Sequence, residues 1–236
     1  MEPRQVAAEF AAEMQRTLGN ALHGAMLYGS AARGEWLESA SDINVLVLID
    51  DINGASLAKA SPVVRKYAGK RVHPIVVETK EWAHAADVFS IEIADMHDAH
   101  DHLVGDLALS TIPVPLPILR LQAERELRGK LLQVYLGMLI TETPDQLGKL
   151  LMNTMPSMTT YFRTALRLGR REVPRDSESV LRSAGELIGA DVDPMLRLLA
   201  ARRGKGDLAV SLTDPLVDSF NTATEKLVQF IDNFGR

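Results

Sequence analysis

Leu27-Tyr28-Gly29-Ser30-Ala31-Ala32-Arg33-Gly34, followed after a short polar stretch by Ser41-Asp42-Ile43-Asn44-Val45-Leu46-Val47-Leu48-Ile49-Asp50, decides how this chain folds. An apolar strand runs into a Gly-Ser turn. A second apolar strand then opens with an acid at its edge. Asn44 to Ile49 is nearly continuous apolar and β-branched sequence, as a strand buried on both faces requires. Alternate strand residues share a face, so Asp42 and position 44 point the same way. A carboxylate beside a small turn is what a metal-dependent phosphoryl-transfer site needs. The unusual residue is Asn44, which stands where a second carboxylate is expected.

Working outward, the first hundred residues alternate helix and strand. Val6, Phe10, Met14 and Leu18 recur every four residues, which predicts a helix over 4–18. Ala25 to Tyr28 reads as the strand before the Gly-Ser turn. A helix is expected over Ser56–Tyr67, then a third strand over Val72–Val77. Pro74 predicts that this strand is an edge or that it starts there. Lys80–Val88 reads as a short helix. Ser90-Ile91-Glu92-Ile93-Ala94 alternates like a fourth strand with one buried and one functional face. This order predicts an α/β (α+β) layer structure with a mixed sheet.

Thr111-Ile112-Pro113-Val114-Pro115-Leu116-Pro117 is the clearest linker, since its alternating prolines stiffen the chain and exclude helix. Beyond it the pattern is helical: Ile118–Ile140, Asp145–Leu168, Ser177–Ile188, Asp193–Arg203 and Leu216–Phe234. Short polar connections suggest an all-α antiparallel bundle. The expected organisation is therefore one domain over 1–112 and a helical bundle domain over 116–236, with substrates in the cleft between them.

Composition sets limits on partners. The 236 residues are 46% hydrophobic and 24% charged, as in an ordinary globular protein. No apolar run approaches the roughly 20 residues that cross a bilayer, and no signal-peptide pattern is present. Cysteine is absent, so thiolate metal sites and disulfides are excluded, and a cytoplasmic location is the default. The net charge of −5 is unevenly spread: residues 1–117 carry 9 Lys/Arg against 16 Asp/Glu, and residues 118–236 carry 17 against 15. Without basic runs, bulk nucleic acid is not an expected partner. A nucleotide remains compatible, because one metal ion reverses a local field.

Gly29-Ser30, an eleven-residue gap and Asp42-Ile43-Asn44 resemble the signature of the nucleotidyltransferase superfamily, the DNA polymerase β-like fold. The local string is similar to the bacterial minimal and aminoglycoside-modifying nucleotidyltransferases. Asp87–Asp95 and Glu126–Leu132 further resemble uncharacterised bacterial proteins that pair this domain with a helical C-terminal domain. The resemblance implies transfer of a nucleoside monophosphate from a nucleoside triphosphate to a hydroxyl of a small molecule or protein, with Mg²⁺ (or Mn²⁺). It implies two acids on the second strand and one on a neighbouring strand as metal ligands.

Asp42 matches the first acid. Glu92 is the choice for the third, with Glu78 as runner-up, and Asn44 would serve as a neutral ligand. Asp42, Asn44 and Glu92 are thus the candidate catalytic and metal-binding residues. Gly29 and Ser30 would hold phosphates. Arg33 has two readings, a phosphate partner or a tether of the loop. Mg²⁺ prefers anionic oxygens, so Asn44 opens an alternative: a degenerate nucleotide- or protein-binding pseudoenzyme. Asp42 has a plainer role open to it as well, bracing the strand start. The His97–His102 region offers metal ligands if helical, but a solvated helix or loop is the plainer reading. His73 reads as a structural histidine. Arg163, Arg167, Arg170 and Arg171, like Arg128 and Lys130, read first as helix-stabilising charges. The acceptor, the base and the oligomeric state, a homo-oligomer included, stay open.

Overall fold

Phe10 and Met14, fully buried from one helix stripe, pack against Leu27, Val45 and Val47 of a central sheet. The computed structural model describes residues 2–38, 40–82, 84–105, 107–204 and 208–235. Helix α1 (Pro3–Leu18) begins with proline at its first position and a Glu2 carboxylate accepting from the Arg4 N–H at 3.3 Å. Proline suits that position because its missing N–H would have had no helical partner. The chain continues through β1 (Leu22–Tyr28), α2 (Ser30–Arg33), β2 (Ile43–Ile49), α3 (Gly54–Ala68) and β3 (Val72–Glu78). An Asn53/Ser56 capping box opens α3. After these come α4 (Thr79–Trp82), α5 (Ser90–Asp98) and β4 (His100–Val104).

The sheet order is β3-β2-β1-β4, with β2 parallel to β3 and the other pairs antiparallel. It is the mixed sheet that the sequence predicts. Pro74 lies on β3, an edge strand, where a missing N–H costs no ladder bond to a further neighbour. One face buries Ala25, Leu27, Val45 and Val47 against α1 and α3. The other buries Met26, Leu46 and Leu48 against Ile93 and Met96 of α5 and against Trp82.

The expectation of a strand over Ser90–Ala94 is wrong. These residues open helix α5, and the fourth strand is His100–Val104. The Ile91/Ile93 alternation spans too few residues to distinguish period 2 from period 3.6. The burial of Ile93 and Met96, three apart, shows the helical period. Strand β4 opens with the polar His100-Asp101-His102 at a sheet edge and has only Leu103 and Val104 as apolar residues, so it escapes the apolar signal. Lys80–Val88 is likewise not one helix: α4 ends at Trp82, and a single 3₁₀ turn covers Ala85–Asp87.

The chain divides between Val114 and Pro115 into two compact units, Met1–Val114 and Pro115–Arg236. The second unit is helical: α6 (Leu116–Ile140), α7 (Pro144–Leu168), α8 (Ser177–Ile188), α9 (Asp193–Arg202) and α10 (Pro215–Asn233). Helix α7 is its centre. Leu147, Leu151, Met155, Met158, Phe162 and Leu166 are buried along it. Gly148 lets the Leu208 carbonyl approach so closely that a Cβ there would collide with it. Among the described residues, no helix is long and apolar enough to cross a membrane.

Candidate nucleotide site

Gly29 follows β1 directly and has φ +77°, a conformation that side chains rarely adopt. A Cβ at this position would lie 2.9 Å from Asn44 Nδ2. Two local demands therefore select glycine here, and both bring the turn against the start of β2. Ser30 opens the one-turn helix α2, whose Arg33 N–H donates to the Gly29 carbonyl at 3.1 Å.

Arg33 is engaged within the protein by α5. Its guanidinium is buried, 3.0 Å from the Asp95 carboxylate of α5 and 3.3 Å from the Asp95 carbonyl. Arg4 holds the same loop from α1, donating to the Ala32 carbonyl at 3.0 Å and pairing with Asp101 at 2.8 Å.

Asp42 precedes β2, and Asn44 is the strand's second residue, facing Tyr28 of β1 and His73 of β3 in register. Arg71 Nε and Nη2 both donate to Asp42 Oδ1, at 3.2 and 3.1 Å. His73 Nε2 stands 3.6 Å from the same oxygen. His73 is not a buried structural histidine; its side chain is 62% exposed. It occupies the β3 position level with Asn44, and the resemblance expects an acid somewhere on a neighbouring strand.

Glu92 is not on a strand. It lies in the first turn of α5, half-buried over the sheet face that carries Tyr28. Tyr28 is itself buried, which pushes its phenol pKa up, and the Glu92 and Asp95 charges push it further. Glu78 lies at the far end of β3 from His73. It pairs with Ile49, six rungs along β2 from the start, or about 20 Å at ~3.3 Å per residue. There it accepts the Ile52 N–H at 2.7 Å and pairs with Lys80 at 2.7 Å, and Lys80 lowers its pKa most.

The donor set does not fit Mg²⁺. Asp42 is paired with a guanidinium, Asn44 is uncharged, and His73 is a nitrogen donor, so the strand edges bring one anionic oxygen donor residue where Mg²⁺ takes several hard oxygens, and Glu92 lies on α5 rather than on a strand beside them. Among the described residues, no three His, Asp or Glu side chains are grouped closely enough to hold a metal ion. The histidine-rich segment does not form a helical metal face either. His97 Nε2 contacts the Leu109 carbonyl at 3.0 Å, and His100 Nδ1 contacts the Met96 carbonyl at 2.7 Å.

In the second unit, Arg128 pairs with Glu124 at 3.1 Å and Asp232 at 3.7 Å, and Arg163 donates to the Arg175 carbonyl at 3.4 Å. Arg128 thus links α6 to α10, and Arg163 links α7 to the stretch that precedes α8. Arg71 carried no sequence signal at all. Its role depends on a left-handed backbone two residues after Gly69, which the residue type does not announce.

The mixed sheet, the Gly-Ser turn between its two central strands and the following helical unit define a nucleotidyltransferase-like fold. Among solved structures, the chain is similar to spectinomycin adenyltransferase AAD(9) from Enterococcus faecialis, determined with ATP and spectinomycin. The two are 14% identical with a TM-score of 0.57, over 93% of this chain and 98% of that one. The sequence matches no protein-family model and no curated protein.

Proposed function

We propose that this chain binds a nucleotide on a nucleotidyltransferase-like fold and has lost metal-dependent nucleotidyl transfer. One observation carries the reading. Where three acids would gather, the strand edges offer Asp42, Asn44 and His73, and Asp42 is bound by Arg71. The structural neighbour was determined with ATP, which supports a nucleotide as the ligand class. The test follows label from α-³²P-ATP, with Mg²⁺ or Mn²⁺, onto a panel of hydroxyl acceptors that includes aminoglycosides. No transfer is expected from the natural protein. Transfer by Asn44→Asp alone would support loss of an ancestral activity, and turnover by the natural protein contradicts the reading.

A second reading keeps the activity: a nucleoside monophosphate passes to a hydroxyl of a small molecule or protein, with Glu92 supplying the missing charge. It is favoured by the Glu92 charge acting on Tyr28, the residue paired with Asn44. Under it, the natural protein transfers label and Glu92→Gln does not.

A further inference from the structure

Arg71 has φ +61°, a left-handed backbone that costs an arginine energy and a glycine almost none. The strain is held from both sides. The Arg71 N–H donates to the Ala68 carbonyl at 2.9 Å, at the end of α3, and its carbonyl accepts the Ile43 N–H at 2.8 Å, at the head of β2. This backbone aims the guanidinium at Asp42, where two of its N–H groups meet one carboxylate oxygen. Its other N–H groups have no partner among the described residues, and the side chain is 40% exposed. His73 presents Nε2 to the same point from β3. Asn44 is level with His73 and pairs with Tyr28, the residue before Gly29, and a Cβ on Gly29 would meet its amide, so these donors lie beside the Gly-Ser turn.

We infer that Arg71, with His73, takes the place of the metal: the pair is a fixed clamp for the phosphates of a nucleotide bound without a divalent ion. Asp42 is then a positioning residue that orients Arg71. The inference rests on the nucleotide-binding reading above and adds how the phosphates are held. The chemistry suits it, since a planar guanidinium matches phosphate oxygens in a two-point geometry and keeps its charge at every working pH. A metal site built on Asp42 needs that carboxylate as a ligand. The clamp needs it only to aim the arginine, and its negative charge opposes the phosphate. The two arrangements therefore predict opposite effects of removing the charge.

The experiment is calorimetric titration of ATP, in EDTA and in excess Mg²⁺, against the natural protein, Arg71→Gly and Asp42→Asn. The natural protein is expected to bind in EDTA at least as tightly as in Mg²⁺. Arg71→Gly is expected to weaken binding about tenfold or more, the worth of a charge-assisted contact. Its melting temperature should be equal or higher, because glycine accepts this backbone freely. Asp42→Asn keeps an acceptor oxygen for Arg71, and its removal of the charge should tighten binding. Binding that requires Mg²⁺, an Arg71→Gly variant that binds like the natural protein, or weaker binding by Asp42→Asn each overturns the clamp while leaving nucleotide binding intact. Failure of the natural protein to bind in either buffer removes both readings.

Discussion

A side chain at position 29 would meet two obstacles, a positive φ and the Asn44 amide 2.9 Å away. The glycine is thus explained by the turn itself, whatever occupies the site. The two arginines near that turn separate cleanly by burial. The Arg33 side chain is 5% exposed and faces an Asp95 side chain that is 12% exposed. Removing one partner of such a pair strands a charge in a dry environment, at a cost of about 3 kcal/mol or more. Arg33→Ala should therefore lower the urea midpoint sharply. A phosphate-binding arginine would instead leave the midpoint alone and weaken ATP binding. The Arg71–Asp42 pair is 40% and 44% exposed, where an ion pair contributes only about 0–1 kcal/mol. Arg71→Gly should therefore move the urea midpoint far less than Arg33→Ala does.

Helix α8 shows how much of an element is fixed by its first residues. The Asp176 carboxylate accepts the Ser179 N–H at 2.9 Å as N-cap, and that bond holds its pKa below the ordinary carboxylate range. A depressed folded pKa adds stability above the unfolded value of about 3.9. The contribution is lost as pH falls through the folded value. Asp176→Ala should cost about 1 kcal/mol at pH 7, with the gap to the natural protein closing in acid, as read by urea unfolding at both pH values. Long elements were legible in this way: the stripe from Val6 to Leu18 and the apolar run of β2 are strong, periodic signals. Short elements were not. Ser90–Ala94 mimics a strand for one cycle before α5 declares its period, and β4 is a five-residue edge strand whose apolar residues are Leu103 and Val104 at its end, too short a run to read.

Across the whole molecule, the legible part of the site is the part local in sequence. Gly29, Ser30, Asp42 and Asn44 lie within sixteen residues of one another and are ordered by two adjacent strands. His73 and Arg71 enter through pairing across 29 residues, and neither strand register nor a left-handed backbone can be read from residue types alone. Those two residues change the meaning of Asp42, from a metal ligand to the partner of a cation. The central claim is that phosphates here meet Arg71 and His73 and not a metal held by carboxylates. Anomalous scattering from crystals soaked with ATP and Mn²⁺ tests it most directly. The account predicts phosphate density against Arg71 with no anomalous peak at Asp42. A Mn²⁺ peak ligated by Asp42, Asn44 and Glu92 would contradict it.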